Sequence, residues 1–351
     1  MTGVLDPELH RTCRVGKGGA GPVSQLCSHC FESQFLAHFV GLLLLLSELR
    51  MARLFLLLLL LGGVVAGVSS STPGFNTRPP RAASTSGLHL AYGPDSSQYG
   101  ELRLPTGKGP FPVVVLIHGG CWLAQYDLHG LDSLSTALTR AGYATWNLEY
   151  RRVGNVGGGW PGTFQDVATG TDFVRELARI HPLLTDQVVV LGHSAGAELA
   201  MWLAARPQIL QTSPLYQPNP LKLNGVVSLA GILDLAAYAT DPGSCNAAVA
   251  RLLGGLPVQV PERYVEASPS QLLPLRVPLR LVHGTQDKVV PTRQTKDFAQ
   301  LAQAAGDDVR LLRLPKTGHF ELITPTSESW AAVKQTMREL LPINQRPVEA
   351  H

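Results

Sequence analysis

Apolar residues in this chain come in two patterns: short continuous runs, and longer stretches in which they recur every three or four positions. The runs at 111–117, 187–191, 225–230, 279–282 and 309–314 are rich in Val, Leu and Ile and too short for helices. They predict strands, the 111–117 run a buried one. Residues 88–92, 101–104 and 144–150 add three more candidate strands. Helical spacing marks 131–141, 163–180, 198–206, 292–305 and 329–341, in the second case through Phe164, Val167, Phe173, Val174 and Leu177. Strands alternating with helices predict an α/β fold, a mostly parallel central sheet with helices on both faces. Two stretches, 207–223 and 234–278, are less regular. No internal repeat is visible.

Composition narrows the class. With 351 residues, 45% hydrophobic and 16% charged, the chain can bury the core of one α/β domain of roughly 250 to 280 residues. A formal charge of +3 without a basic patch gives no footprint for nucleic acid. Near the N-terminus, Met51-Ala52-Arg53 precedes an apolar run at 54–61, small residues at 62–67 and three serines, the order of a secretory signal peptide. The expected organisation is therefore a leader at 1–50 that precedes the true start, a signal peptide at 51–67, a flexible linker at 68–84, a catalytic domain at 85–342 and a tail at 343–351. Export to a periplasmic or extracellular space follows. The rival is an uncleaved anchor, but residues 54–68 fall short of the ~20 needed to span a bilayer.

Cys13, Cys27 and Cys30 lie in the leader, and Cys27-Ser28-His29-Cys30 has no second ligand pair, so no metal is expected. Cys121 and Cys245 remain. In an oxidising space they can pair; otherwise they are two separate buried thiols.

The chemistry sits at the strand ends. Gly192-His193-Ser194-Ala195-Gly196 follows one strand run and opens a helix, the setting in which a tight turn holds a serine hydroxyl exposed. The 111–117 run ends in His118-Gly119-Gly120-Cys121-Trp122, a glycine loop able to aim backbone N–H groups at a developing oxyanion. Asp287 follows the 279–282 run, and His319 follows the last strand, behind Gly318. The order is Ser, Asp, His. Asp234, after the 225–230 strand, is a second candidate for the acid.

With these motifs the chain resembles the α/β-hydrolase superfamily, and within it the small serine esterases and amidases with an His-Gly-Gly-x-Trp loop, the arylformamidase-like and feruloyl-esterase-like groups. The resemblance covers roughly residues 85–342. It implies Ser194 as nucleophile, His319 as general base, Asp287 as the residue orienting His319, and the N–H groups of Gly120, Cys121 and Ala195 as oxyanion donors. Ala197 stands where many members have a second glycine, beyond the turn itself. The irregular stretches occupy the positions where such folds insert caps, so any cap is small.

His118 is expected to hold its loop, His193 to pack under the turn, and His283 to lie within a strand. Trp122, Tyr126, Trp160 and Phe320 are candidates for a substrate pocket, with core packing as the alternative. Glu198 is assigned equally to the helix surface, to a place behind the site, or to substrate. The function that follows is an exported serine hydrolase acting on a small carboxylic ester or amide, with no cofactor required. The alternatives are a serine peptidase of the prolyl-oligopeptidase type and a non-catalytic binding module on the same fold.

Overall fold

The computed structural model describes residues 87–241 and 244–343. The expected leader, signal peptide and linker, with Cys13, Cys27 and Cys30, lie outside the described residues, as does the tail beyond 343. Among the described residues no helix is long and apolar enough to cross a membrane.

In chain order the elements begin with strands β1 (Leu88–Ala91), β2 (Tyr99–Arg103) and β3 (Phe111–Ile117), then helix α1 (Asp132–Arg140) and β4 (Ala144–Leu148). Helices α2 (Gly162–Asp172) and α3 (Val174–Ala178) lead to β5 (Leu183–His193), α4 (Ala195–Ala205) and β6 (Gly225–Leu229). Three short helices follow, α5 (Leu235–Thr240), α6 (Asn246–Leu253) and α7 (Pro261–Ala267). The fold closes with β7 (Leu279–Gly284), α8 (Arg293–Ala304), β8 (Val309–Leu314) and α9 (Trp330–Leu340). The strands form one eight-stranded sheet in the order β1-β2-β4-β3-β5-β6-β7-β8. The first two pairings, β1 with β2 and β2 with β4, are antiparallel, and the other five are parallel.

The continuous apolar runs are explained by burial on both faces, since successive side chains of a strand point to opposite sides. Val113, Val115 and Ile117 of β3 join Val188 and Val190 of β5 in one core, with Phe164 and Val167 of α2 and Leu199 to Ala205 of α4. Val114, Leu116, Val189 and Leu191 enter the other core, with Leu134 and Leu138 of α1 and Val333 and Met337 of α9. Helix α4 is apolar on every side except at Glu198, and all eleven of its residues are buried. It runs from the middle of the sheet.

Two expectations are corrected. The helix expected over 163–180 is two helices, α2 and α3, which meet at Phe173, where the ring packs against Trp146. The stretch 234–278 is not irregular: it holds α5, α6 and α7. Asp234 accepts the Ala237 N–H at 2.9 Å and caps α5, Gly254 ends α6 at φ +77°, and Pro261 opens α7. Three side chains of α6, Val249, Leu252 and Leu253, are fully buried in the main core, so these helices are part of the domain's packing.

Candidate active site

Ser194 lies between β5 and α4 at φ +56°, ψ −121°, a conformation that L-residues adopt only where the surroundings impose it. Here they do. Its N–H donates to the Leu229 carbonyl at 2.8 Å. Gly192 and Gly196 allow the turn for a steric reason: a Cβ on Gly192 would collide with the Gly196 carbonyl, and one on Gly196 with the carbonyls of Ile117 and His118. Ser194 is buried but lines a cavity of about 400 Å³ together with His319, Gly119, Gly120 and Cys121, within the size range of small-molecule sites.

Asp287 and His319 are brought together from the ends of β7 and β8. Asp287 Oδ2 is 2.7 Å from His319 Nδ1, and its Oδ1 accepts the N–H groups of Val289 and Val290 at 2.8 and 2.9 Å. His283 Nε2 is 3.2 Å from the same Oδ2. Burial alone would raise the carboxyl's pKa, but the hydrogen bonds from His283, His319 and the Val290 N–H outweigh it and hold Asp287 well below the usual carboxylate range. Asp287 is therefore ionised and takes the Nδ1 proton of His319 as a hydrogen bond, which leaves Nε2 as the lone-pair nitrogen. Among the described residues no hydrogen bond links the Ser194 hydroxyl to His319. His193 supports the ring from below: its Nε2 donates to the His319 carbonyl at 3.1 Å, and the two rings lie 4.5 Å apart. Burial, followed by the neighbouring His319, pushes the His193 imidazole down to about 3, so it is neutral.

The loop after β3 carries three successive left-handed residues, Gly120 (φ +99°), Cys121 (φ +54°) and Trp122 (φ +56°). For the two non-glycines this costs roughly 1–2 kcal/mol each. Among the described residues the N–H groups of Gly120, Cys121 and Ala195 donate to no protein acceptor. Beneath the loop, His118 Nε2 is 3.1 Å from Glu149 Oε1, its ring stacks on Tyr150, and its carbonyl accepts the Tyr150 hydroxyl at 2.7 Å. Buried Glu149 also receives the N–H groups of Leu128 and Tyr150 and lies 3.2 Å from Arg152. Burial raises its pKa, yet His118 and Arg152 bring it below the ordinary value. Above the loop, a disulfide joins Cys121 to Cys245, with Cα atoms 5.2 Å apart, so the choice between a bond and two thiols falls to the bond.

Of the four expected pocket residues, Tyr126 and Phe320 line the cavity, and Trp122 and Trp160 do not. Trp122 is fully buried and donates its indole N–H to Glu198 Oε2 at 3.0 Å. Trp160 packs edge-on against Phe164, with Arg263 over its ring. The left-handed backbone at Trp122 turns its ring into the core, and Trp160 packs half-buried against the core's edge. Asp234 caps α5, and among the described residues no hydrogen bond or ion pair joins it to His319. The cavity also holds Gln125, Asp127, Ser244, Val289 and Ile323, none singled out in the sequence. They sit on loops without a motif, and no local signal marks them. Glu149 is different, since a lone carboxylate ending a buried strand beside Arg151-Arg152 is a sequence signal for a buried ion pair. Among the described residues one cluster, Glu101, His129 and Asp132, has metal-ligand spacing. Arg103 already supplies its cation, 2.8 Å from Glu101 and 3.0 Å from Asp132.

A family model described as BD-FAE matches residues 101–301, more than half of the chain. The chain belongs to the BD-FAE family. BD-FAE is a family of α/β-hydrolase esterases, so this BD-FAE chain is a hydrolase of the esterase type. Solved structures agree in fold. A truncated carbohydrate esterase from gut microbiota aligns with a TM-score of 0.63 at 21% identity, over 74% of this chain and 96% of that one. Esterase B from Lactobacillus Rhamnosis gives 0.63 at 19%, over 73% and 84%. A thermophilic esterase from the Planctomycetes species Thermogutta terrifontis, with propionate bound, gives 0.59 at 18%, over 73% and 93%. At these identities the likeness is one of fold. No curated protein matches the chain.

Proposed function

We propose that this BD-FAE member is an exported serine hydrolase that cleaves a small carboxylic ester through an acyl-enzyme. In this reading the lone-pair Nε2 of His319 takes the Ser194 proton as the hydroxyl attacks the ester carbonyl, and ionised Asp287 stabilises the imidazolium that forms. The N–H groups of Gly120, Cys121 and Ala195 hold the oxyanion. His319 then passes the proton to the leaving alcohol. Water enters by the reverse sequence, with His319 again as base, and releases the acid and Ser194. No step calls for a metal or organic cofactor.

The observation that carries the proposal is the Asp287–His319 hydrogen bond at the rim of the cavity lined by Ser194 on its strained turn. Export is supported by the signal-like segment at 51–67 and by the Cys121–Cys245 disulfide, a bond that persists in oxidising compartments. The test is a panel of 4-nitrophenyl esters of increasing acyl length and the matching anilides, with Ser194→Ala as the blank. Turnover of short esters, absent in the variant, is the expected result. Equal turnover by both proteins would refute the serine mechanism. A mature N-terminus near residue 68 is expected from sequencing of the exported protein, and an intact Met1 would refute the export.

A further inference from the structure

The backbone donors assigned to the oxyanion come from two segments far apart in the chain, the loop after β3 and the first turn of α4. They meet closely, since only a glycine at 196 clears the carbonyls of Ile117 and His118. One side-chain hydrogen bond bridges them directly, from Trp122 Nε1 to Glu198 Oε2 at 3.0 Å. Glu198 stands one helical turn beyond Ser194, and both partners are 0% exposed. Trp122 is the second of two successive non-glycine residues held in the left-handed region, which persist only when several contacts fix them. Cys121 is fixed by its disulfide. Trp122 is fixed by the core around its ring, by the Val153 N–H on its carbonyl at 2.9 Å, and by Glu198.

A carboxyl is a costly occupant of this place. It has no cationic partner among the described residues, and its Oε1 has no hydrogen-bond partner there either, whereas an apolar side chain would fill the space without desolvating a polar group. Burial, against the weaker pull of the Trp122 N–H, pushes Glu198 well above the carboxylate range. Burial therefore favours the neutral acid over the carboxylate at this place.

We propose that Glu198 is a positioning residue for the oxyanion hole: through Trp122 it fixes the loop after β3 against α4, so that the N–H groups of Gly120, Cys121 and Ala195 converge on one point. This rests on the reading of Ser194 as nucleophile. Glu198 does not line the cavity, so its loss weakens the transition state and leaves ground-state binding in place.

The experiment uses the full chain as wild type, Glu198→Leu, Glu198→Gln, Trp122→Phe and the Leu/Phe double variant. Each is measured for kcat and KM on a short 4-nitrophenyl ester, and for the affinity of phenylboronic acid, which forms a tetrahedral adduct with a nucleophilic serine. Glu198→Leu is expected to lower kcat by about 10- to 100-fold, up to the loss of one oxyanion donor, with KM within about twofold. Boronate affinity is expected to fall by the same factor. Glu198→Gln keeps an acceptor for Trp122 and is expected to recover most of both. The double variant is expected to be no worse than Glu198→Leu, because the two residues make one interaction.

Wild-type boronate affinity in folded Glu198→Leu, or a loss confined to thermal stability, would overturn the proposal. If Glu198→Leu does not fold, Trp122→Phe removes the same N–H and must show the same kcat loss, and an unchanged kcat there would overturn it equally. Failure of the underlying reading looks different: Ser194→Ala would stay active and the wild type would not bind the boronate.

Discussion

His193 makes the fold acid-sensitive by a calculable amount. The ring is 3% exposed, donates to the His319 carbonyl, and titrates in the folded chain near 3 instead of 6.5. The folded-state value is the lower one, so between those pH values the unfolded chain binds a proton that the folded chain does not, and stability falls as pH falls. Full protonation of the unfolded side across that interval is worth about 5 kcal/mol, at about 1.4 kcal/mol per pH unit. Ionised Asp287 acts lower down. Its depressed value gives stability that is present above its unfolded value of 3.8 and lost only as pH drops further, outside the range pH 6 to 4. Replacing His193 by Gln removes the titrating ring and keeps an N–H donor for the His319 carbonyl. Urea unfolding at half-unit steps from pH 7 to 4 is the assay. The wild-type stability is expected to fall more steeply than that of His193→Gln by about 1.4 kcal/mol per pH unit below pH 6. Parallel slopes in the two proteins would refute the argument, whatever their offset at pH 7.

Three other outcomes can be measured. Ser194→Ala and His319→Ala are each expected to lower ester turnover by roughly four to six orders of magnitude, and the double variant to be little worse, since the members act as a unit; additive losses would break the pairing. Asp287→Asn is expected to cost on the order of 10⁴ in turnover, because the Val289 and Val290 N–H groups claim the amide oxygen and turn its N–H toward Nδ1, which selects the wrong imidazole tautomer, whereas Asp234→Asn, at a helix cap, should change turnover less than about twofold. The reverse ranking would move the acid to Asp234. Replacing Cys121 and Cys245 by Ser opens a loop with a sequence separation of 124 and is expected to cost up to about 5 kcal/mol of stability in the chain-entropy model. Mass spectrometry that finds both cysteines alkylatable in unreduced, active protein would remove that expectation.

The centre of the sheet was legible because strands such as β4, β6 and β7 are buried on both faces. A run such as Val113 to Ile117 must be apolar at every position when Val114 and Leu116 enter one core and the residues flanking them the other. Length then separates strand from helix, as it does for β3, whereas β8 at the sheet edge carries Arg310 and Arg313 and is half exposed. The positions of Ser194, His319 and Asp287 were legible for a related reason: each follows the end of a parallel strand, and parallel strands with short connections bring those ends to one edge of the sheet. The short helices α5 to α7 were missed although Asp234, Gly254 and Pro261 punctuate them, because six to eight residues hold too few turns for an apolar stripe to repeat.

What sequence could not reveal is which aromatic faces the cavity. Trp122 and Tyr126 lie four residues apart in one loop, yet Trp122 is fully buried and Tyr126 about half exposed. The difference arises from the left-handed turn at Gly120 to Trp122, which sends the Trp122 ring inward to Glu198 and carries Tyr126 over Gly120, where any Cβ would strike its ring. That turn is held by contacts more than 70 residues distant in sequence, the Glu198 carboxyl and the Cys245 sulfur. Two left-handed non-glycine residues carry a local cost of roughly 2–4 kcal/mol in all, and no local preference repays it. The offset comes from the disulfide, the buried indole and the ion pair network under His118, all of which act on the same five residues. A loop strained in this way and pinned from three sides cannot relax its N–H groups toward other acceptors, which is the condition under which backbone donors stabilise a transient charge without reorganising.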